Sequence, residues 1–335
     1  DRSVRATIDV RLQVRANQLL RERLSPSGKS GAAVVMDPRT GDVLALASFP
    51  EPAPGTPATP DQLLDRARYG QYPPGSTFKL VTAIAALRID PALEKKTYIC
   101  RRLPDGRSGT VVRGWNRPIR DDIGDSAHGT LRMEQAIVVS CNAYFAQLGT
   151  YDVGARALHD TAAALGIPAG DVSEIQKTMP FASYGQGPVL VTPFKMARVA
   201  ATIAAGGRMP QGRWDFSDSS RRTNPPHPIL EPPLAAFLGN AMRLVVTSGT
   251  GRRAMAGLNV SVAGKTGTAQ VDKGAPHSWF AGFAPYGNAE KQIAFAVVVE
   301  HGGYGSQFAA PIARKIVEAA RDLGMIAAEP AVSGQ

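Results

Sequence analysis

The sequence has only two cysteines, no clustered histidines and no long apolar run, and each shortage excludes a class of protein. The cysteines Cys100 and Cys141 are too few for a disulfide framework, and neither belongs to a Cys-x-x-Cys pair of the kind that holds zinc. The five histidines show no His-Glu-x-x-His spacing, so we expect no metal site built from neighbouring residues, and no metal or cofactor. Apolar runs such as Ile293–Val299 fall far short of the roughly 18 residues that span a bilayer.

The overall composition is that of a folded globular protein with an excess of positive charge. Hydrophobic residues make up 44% and charged residues 20% of the chain, which argues against disorder. The 38 Lys and Arg residues against 28 Asp and Glu give a net charge of +10, which favours anionic partners. Several arginines between residues 101 and 120 lie in a polar stretch whose one aromatic residue is Trp115, too few for an interleaved stacking platform, so we expect a solvated loop there and no nucleic-acid partner.

The order of apolar patterns along the chain predicts an α+β fold whose sheet is built from both chain ends. Apolar residues recur at helical spacing after Asp9, and two apolar runs at 32–36 and 43–48 flank a turn typical of a β-hairpin. Helical periodicity dominates the middle of the chain, and strand-like segments return at 260–270, 278–284 and 293–300 before a final helix near Pro311. We therefore expect a sheet subdomain at residues 1–50 and 251–335 and a mostly helical subdomain at 51–250, which together form one domain.

One Ser-x-x-Lys motif, Ser76-Thr77-Phe78-Lys79, lies where a helix is predicted to begin. Side chains at i and i+3 share a helix face, so the Ser76 hydroxyl and the Lys79 amine can meet. A lysine whose pKa is lowered by burial can take the proton of a serine nucleophile, and N–H groups at a helix start can stabilise an oxyanion. Taken alone, the motif also fits a helix-capping serine followed by a surface lysine.

Two further motifs carry polar side chains suited to acyl transfer. Ser140-Cys141-Asn142 places polar groups at i and i+2, which converge only if the chain leaves helical geometry there. Lys265-Thr266-Gly267-Thr268 lies on a predicted strand, where Gly267 allows another backbone to approach closely. The run Gly264-Lys265-Thr266 also matches the end of a P-loop, but Asn259 stands where that motif needs glycine, so nucleotide binding is a remote alternative.

The three motifs in this order are shared by penicillin-binding proteins and serine β-lactamases. Their surroundings resemble the class B, monofunctional transpeptidase branch of the penicillin-binding proteins. The segments that carry the resemblance are 33–50 (AVVMDPRTGDVLALASFP), 72–79 (YPPGSTFK), 140–142 (SCN), 185–187 (GQG), 265–270 (KTGTAQ) and 277–285 (HSWFAGFAP). The resemblance implies a penicillin-binding-protein/serine β-lactamase-like fold, in which an antiparallel sheet is flanked by helices, an all-helical region is inserted, and the active site lies in the cleft between them.

The resemblance also implies a reaction and a set of residues. The enzyme would be a D,D-transpeptidase that cross-links peptidoglycan stem peptides ending in D-Ala-D-Ala through a serine acyl-enzyme, with covalent inhibition by β-lactams. The implied catalytic residues are Ser76, Lys79, Ser140, Asn142 and Lys265, and the implied substrate-binding residues are Thr266, Gly267 and Thr268. Ser76 would be the nucleophile and Lys79 its base, and the backbone N–H groups of Ser76 and Thr268 would form the oxyanion hole.

Other functions and further partners follow from the same resemblance. A serine β-lactamase would need a second base to activate water, and the candidate segment Glu174-Ile175-Gln176-Lys177-Thr178 lacks the Leu and Asn of the class A pattern. A β-lactam sensor domain would use acylation only as a signal, and carboxypeptidase activity stays open. The expected location is the outer face of the cytoplasmic membrane, in a longer protein that carries an anchor and engages a membrane glycan polymerase through segments outside this chain.

Overall fold

The computed structural model describes residues 3–216, 225–288 and 290–327. Its strands are β1 (Gly31–Met36), β2 (Val43–Phe49), β3 (Tyr98–Arg102), β4 (Ser108–Thr110), β5 (Ile119–Arg120), β6 (Gly129–Leu131), β7 (Arg208–Met209), β8 (His227–Pro228), β9 (Ala263–Ala269), β10 (His277–Ala284) and β11 (Ile293–Val299). Its helices are α1 (Val10–Leu24), α2 (Pro60–Leu63), α3 (Lys79–Ile89), α4 (Met133–Val138), α5 (Asn142–Leu148), α6 (Gly154–Ala164), α7 (Val172–Lys177), α8 (Met179–Ala182), α9 (Pro193–Ala204), α10 (Pro232–Thr247), α11 (Arg252–Met255) and α12 (Ala309–Asp322).

The central sheet joins strands from both ends of the chain. Its five strands run in the order β2-β1-β11-β10-β9, and each neighbouring pair is antiparallel. This arrangement confirms the predicted α+β architecture and the predicted hairpin. The boundaries drawn at residues 50 and 250 stay a prediction. Among the strands of the described residues, β9 pairs with β10 alone, and its other edge lies against the Gly75–Phe78 turn that carries Ser76.

Successive side chains along the strands of the central sheet point into two separate hydrophobic cores, one on each face. On β1, Val34 packs into the core formed with the helices inserted between β2 and β9, including α3, α9 and α10. Its neighbours Ala33 and Val35 point to the opposite face, where α1 and α12 cover the sheet. Side chains of a strand alternate between faces, so a strand with helices on both sides is buried throughout, as β1, β10 and β11 are, and β1 and β11 carry only apolar residues and glycine.

The segment from 98 to 131 differs from the sequence expectation. We expected a solvated loop within a helical insertion, but β3 to β6 form a four-stranded antiparallel sheet in the order β5-β4-β3-β6. These strands have two to five residues each, and on β3 only Cys100 is buried. Strands this short leave no alternating apolar pattern, so periodicity could not reveal them.

No helix within residues 3–216, 225–288 and 290–327 is both long and apolar enough to cross a membrane.

Candidate active site

Ser76 lies on a tight turn that the surrounding backbone holds in place. Residues Gly75–Phe78 form a single 3-10 turn that leads directly into α3. The Gly75 N–H donates to the Gly185 carbonyl at 3.0 Å. Gly185 has φ +80°, and a Cβ there would lie 2.2 Å from the Gly75 carbonyl oxygen, so glycine is required. The Gly185-Gln186-Gly187 motif therefore packs against the backbone of the Gly75–Phe78 turn, which we call the Ser76 turn.

The Lys79 amine meets four oxygen atoms in the buried interior next to Ser76. Its Nζ lies 3.0 Å from Ser76 Oγ, 3.2 Å from Ser140 Oγ and 2.7 Å from Asn142 Oδ1, and it also contacts the Ser140 carbonyl oxygen. The Asn142 Nδ2 donates to the Arg120 carbonyl at 3.0 Å, which fixes which end of the amide faces Lys79. The carbonyl of Ser140 and Oδ1 of Asn142 can only accept hydrogen bonds.

This geometry suits a neutral amine. A neutral lysine has two N–H groups and one lone pair, so donation to the two obligate acceptors uses both N–H groups. The lone pair is then left for the serine hydroxyls. Complete burial of Lys79 lowers its pKa from 10.5 to about 8, and the carboxylate of Asp121 partly offsets this fall. The alternative of a capping serine with a surface lysine is wrong, because Lys79 is fully buried.

Ser140 lies between the two buried lysines. Lys265 Nζ donates to Ser140 Oγ at 2.8 Å, and Lys79 Nζ lies 3.2 Å from the same oxygen. Ser140 has φ +60° at the junction of α4 and α5, so the chain leaves helical geometry there, as the spacing of Ser140 and Asn142 required. Burial and the nearby Lys79 amine hold the pKa of Lys265 well below its usual range.

The Lys265–Thr268 motif lies on edge strand β9, next to the Gly75–Phe78 turn that carries Ser76. A Cβ at Gly267 would lie 2.9 Å from the Thr77 side chain and 3.1 Å from the Pro74 carbonyl oxygen. Gly267 therefore permits the close backbone approach predicted from the sequence. The Thr266 hydroxyl lies 2.6 Å from that of Thr250, a residue with no recognisable sequence signal.

A cleft of about 120 Å³ opens over these groups. It is lined by Ser76, Asp122, Asp125, Val139, Ser140, Asn142, Tyr184, Gln186, Thr250, Thr268 and Gln270. Of the predicted site residues, Lys79 and Lys265 lie buried beneath the cleft. Gly267 lets β9 pack closely against the turn that carries Ser76. Sequence reasoning missed Asp122 and Asp125, which belong to no motif. Glu174, the candidate second base of a β-lactamase, is exposed on α7 and does not line this cleft.

A second cluster of titratable side chains lies directly beneath the Ser140–Asn142 turn. Cys100, Asp121, His128 and Cys141 each present one ligand atom, and these atoms lie within 4.8 Å of one another. Sulfur, imidazole nitrogen and carboxylate oxygen are the donors that zinc takes in proteins, so these residues could hold a metal ion. The four positions come from separate segments, and short sequence spacings therefore could not reveal the cluster.

Comparison with known proteins gives one consistent result. The family described as penicillin binding protein transpeptidase domain matches residues 31–318. The peptidoglycan D,D-transpeptidase PbpA of Mycolicibacterium smegmatis is 30% identical over 340 residues, covering 87% of this chain and 67% of the relative. This chain thus spans about two thirds of that relative's length.

Two solved structures share the fold. A ceftriaxone acyl-enzyme complex of penicillin-binding protein A from M. tuberculosis superposes with a TM-score of 0.77 at 28% identity, covering 95% of this chain and 79% of that one. Pseudomonas aeruginosa PBP2 in complex with WCK 5153 superposes with a TM-score of 0.81 at 28% identity, covering 94% of this chain and 75% of that one.

Proposed function

The chain belongs to the penicillin-binding protein transpeptidase domains, a family of serine-type peptidoglycan D,D-transpeptidases, and from this premise we propose how its residues carry out the reaction. Ser76 is the nucleophile and Lys79 its base. The observation that carries the proposal is the buried Lys79 Nζ, which lies 3.0 Å from Ser76 Oγ and within hydrogen-bond distance of two obligate acceptors, the Ser140 carbonyl oxygen and Asn142 Oδ1. When the amine is neutral, these acceptors take its two N–H groups and leave its lone pair for the Ser76 proton.

Acylation begins when Ser76 Oγ attacks the carbonyl carbon of the penultimate D-alanine and Lys79 takes the hydroxyl proton. The backbone N–H groups of Ser76 and Thr268 stabilise the tetrahedral oxyanion. The C–N bond to the terminal D-alanine then breaks, and the leaving amine receives a proton through Ser140, which contacts both Lys79 and Lys265. The product is an ester between Ser76 and the stem peptide.

The second half of the reaction uses the same groups in reverse. The amine of a neighbouring stem peptide attacks the ester carbonyl and loses its proton to the Lys79 and Ser140 pair, and Ser76 regains its proton as it leaves. The hydroxyls of Thr266 and Thr268 bind the terminal carboxylate of the donor, and Asn142 hydrogen-bonds its amide. Lys265 supplies positive charge when the carboxylate is bound.

The main rival function is that of a β-lactamase, which hydrolyses the ester with an activated water. The described residues place Glu174 away from the cleft, which disfavours the class A arrangement. The cleft does contain the carboxylates of Asp122 and Asp125, and these are the groups to test as water-activating bases.

The substrate suggests the location of the reaction and the class of partner protein. Peptidoglycan stem peptides lie outside the cytoplasmic membrane, so we place the reaction at its outer face. A transpeptidase needs freshly polymerised glycan, and the partner we propose is therefore a membrane glycan polymerase, bound through segments beyond this chain. Co-purification of the full-length protein from solubilised membranes, followed by identification of a co-eluting polymerase, tests the partner.

Intact-mass spectrometry after incubation with penicillin tests the chemistry. We expect one ligand mass on Ser76 that persists, no adduct in Ser76→Ala, and an unchanged adduct in Ser27→Ala as the matched control. Return to the free mass with hydrolysed drug in solution would assign a β-lactamase, and Asp125→Asn would then show whether that carboxylate is the base. Synthetic donor and acceptor stem peptides should give a cross-linked dimer, whereas shortened donor alone would indicate a carboxypeptidase.

A further inference from the structure

A cavity lined by charged side chains lies beside the active-site cleft. It has a volume of about 350 Å³, and its walls are the β3–β4 hairpin and the segment 122–127. Asp122 and Asp125 line both this cavity and the cleft that contains Ser76, so the two spaces adjoin at these carboxylates. A group held in the cavity can therefore belong to a molecule that reacts at Ser76.

Hydrogen bonds hold the two walls of the cavity together. Ser108 Oγ donates to the Asp125 carbonyl at 2.6 Å, and Arg107 Nη2 donates to the Asp121 carbonyl at 2.8 Å. The Asp121 carboxylate in turn accepts from the backbone N–H of Asn142. The walls are therefore fixed relative to Asn142 before any ligand binds.

Two arginines supply positive charge to the hairpin wall. Arg107 Nε is buried and makes no hydrogen bond, although buried polar atoms are normally satisfied. Arg102 forms no ion pair within the part of the chain that the structure describes, whereas the nearby Arg120 pairs with Asp105 at 2.7 Å. Both cavity guanidinium groups thus have donors available for an anion, and a guanidinium matches the geometry of a carboxylate.

The wall shared with the cleft carries negative charge. Asp122 and Asp125 are exposed. Together with Asp121, they offset part of the fall that burial causes in the pKa of Lys79, which shows that their charge reaches the catalytic base. Carboxylates form charge-assisted hydrogen bonds with ammonium groups. The cavity as a whole therefore suits a ligand end that carries an amine and a carboxylate side by side.

We propose that this cavity binds the side-chain end of a stem peptide's diamino acid, with its ammonium at Asp122 and Asp125 and a carboxylate on the same carbon at Arg102 and Arg107. The inference rests on the proposed function and names its substrate class. The preferred diamino acid is a diacid, in contrast to lysine, whose side chain ends in an amine alone. The same chemistry is present on the donor, which acylates Ser76, and on the acceptor, whose amine attacks the ester, so the experiment has one arm for each.

Synthetic peptides that differ only at this side-chain end test the inference on the unaltered chain. In the donor arm, diacid and lysine donors are compared by release of the terminal D-alanine, with hydroxylamine as the common acceptor. In the acceptor arm, the donor has norleucine at this position, and diacid and lysine acceptors are compared by formation of the cross-linked dimer. We expect kcat/KM to be about 3- to 10-fold higher for the diacid in the arm whose peptide occupies the cavity, and the ratio to shrink at high salt.

Variants show whether the named residues cause the preference. Arg102→Gln should bring the diacid-to-lysine ratio close to one, and Arg102→Lys should keep part of it, because lysine retains the charge without the planar fork. Arg101→Gln is the matched control: its side chain points to the other face of β3, and the ratio should stay that of the parent protein. Asp122→Asn should lower kcat/KM for both peptides, since both carry the amine, whereas Asp171→Asn, which changes an exposed carboxylate outside the cavity, should not.

A diacid-to-lysine ratio near one in both arms, or a preference for lysine, would overturn the inference. These ratios are measured on the unaltered protein, so they do not depend on whether a variant folds. Penicillin has no diamino acid side chain, so its labelling of Ser76 tests the proposed function separately. Labelled Ser76 together with equal ratios would refute this inference alone, whereas no acylation by penicillin or by any donor would refute the proposed function and this inference with it.

Discussion

The lowered pKa of Lys79 predicts a steep pH dependence of acylation. At pH 7 a lysine with a pKa of about 8 is neutral in roughly one tenth of molecules, whereas one at the ordinary value of 10.5 is neutral in roughly one in three thousand. Burial thus raises the concentration of the active base by about 300-fold at pH 7. Since only the neutral amine can accept the Ser76 proton, the acylation rate should rise with pH and level off above the pKa of Lys79.

Stopped-flow measurement with a fluorescent penicillin gives the second-order acylation rate constant across pH 6 to 9.5. The neutral fraction grows from roughly 1% at pH 6 to about half at pH 8, so we expect a rise of about 50-fold over that range and a plateau near pH 9. The penicillin carboxylate stays ionised throughout and contributes no slope. Lys79→Gln should remove most of the activity, and Lys95→Gln, which changes an exposed lysine, should leave the profile intact.

Two outcomes would refute this reasoning. A flat profile between pH 6 and 8 would mean that proton transfer to Lys79 does not limit acylation. A midpoint near 10 would mean that Lys79 titrates as a solvated amine, despite its burial.

Three further predictions concern the site and its support. Lys265→Ala should slow acylation by carboxylate-bearing ligands far more than Lys265→Arg, because arginine keeps the charge while altering its geometry; equal rates in the two variants would contradict an electrostatic role. Gly267→Ala forces a Cβ to 2.9 Å from the Thr77 side chain, and the overpacking should cost about 1 to 3 kcal/mol in the free energy of unfolding and slow acylation, which denaturant titration and penicillin labelling measure. Glu300→Gln removes one of the two carboxylates that pair with the buried Arg66, the other being Asp61, and should lower the free energy of unfolding by about 1.5 to 3 kcal/mol; a variant as stable as the parent protein would show that Asp61 alone satisfies Arg66.

Much of the architecture could be predicted from local patterns. The hairpin of β1 and β2, the three later strands and α12 each have an apolar period or a turn signal within a short window. The sheet at 98–131 could not be predicted in this way. Its strands are short and largely exposed, and they depend on pairing between segments up to about 30 residues apart, such as β3 with β6.

The features of the active site also fall into two groups, those that local sequence reveals and those that depend on the fold. The sequence by itself determined which residue types are present and their local spacing: Ser76 one helical turn from Lys79, Ser140 two residues from Asn142, and Lys265 on a strand with a glycine after Thr266. Spacing within one element is local geometry, so it can be read without the fold. These motifs were also enough to identify the family.

Only the tertiary structure decided how those motifs act on one another. Lys79 becomes a base because α3 and the Ser140–Asn142 turn bury it and supply its two acceptors, and no local pattern reports the burial of a lysine. Thr250, Asp122 and Asp125 reach the cleft through loops without a signature. The cluster of Cys100, Asp121, His128 and Cys141 exists only where separate segments meet, because proximity in space between residues distant in the chain is a property of packing.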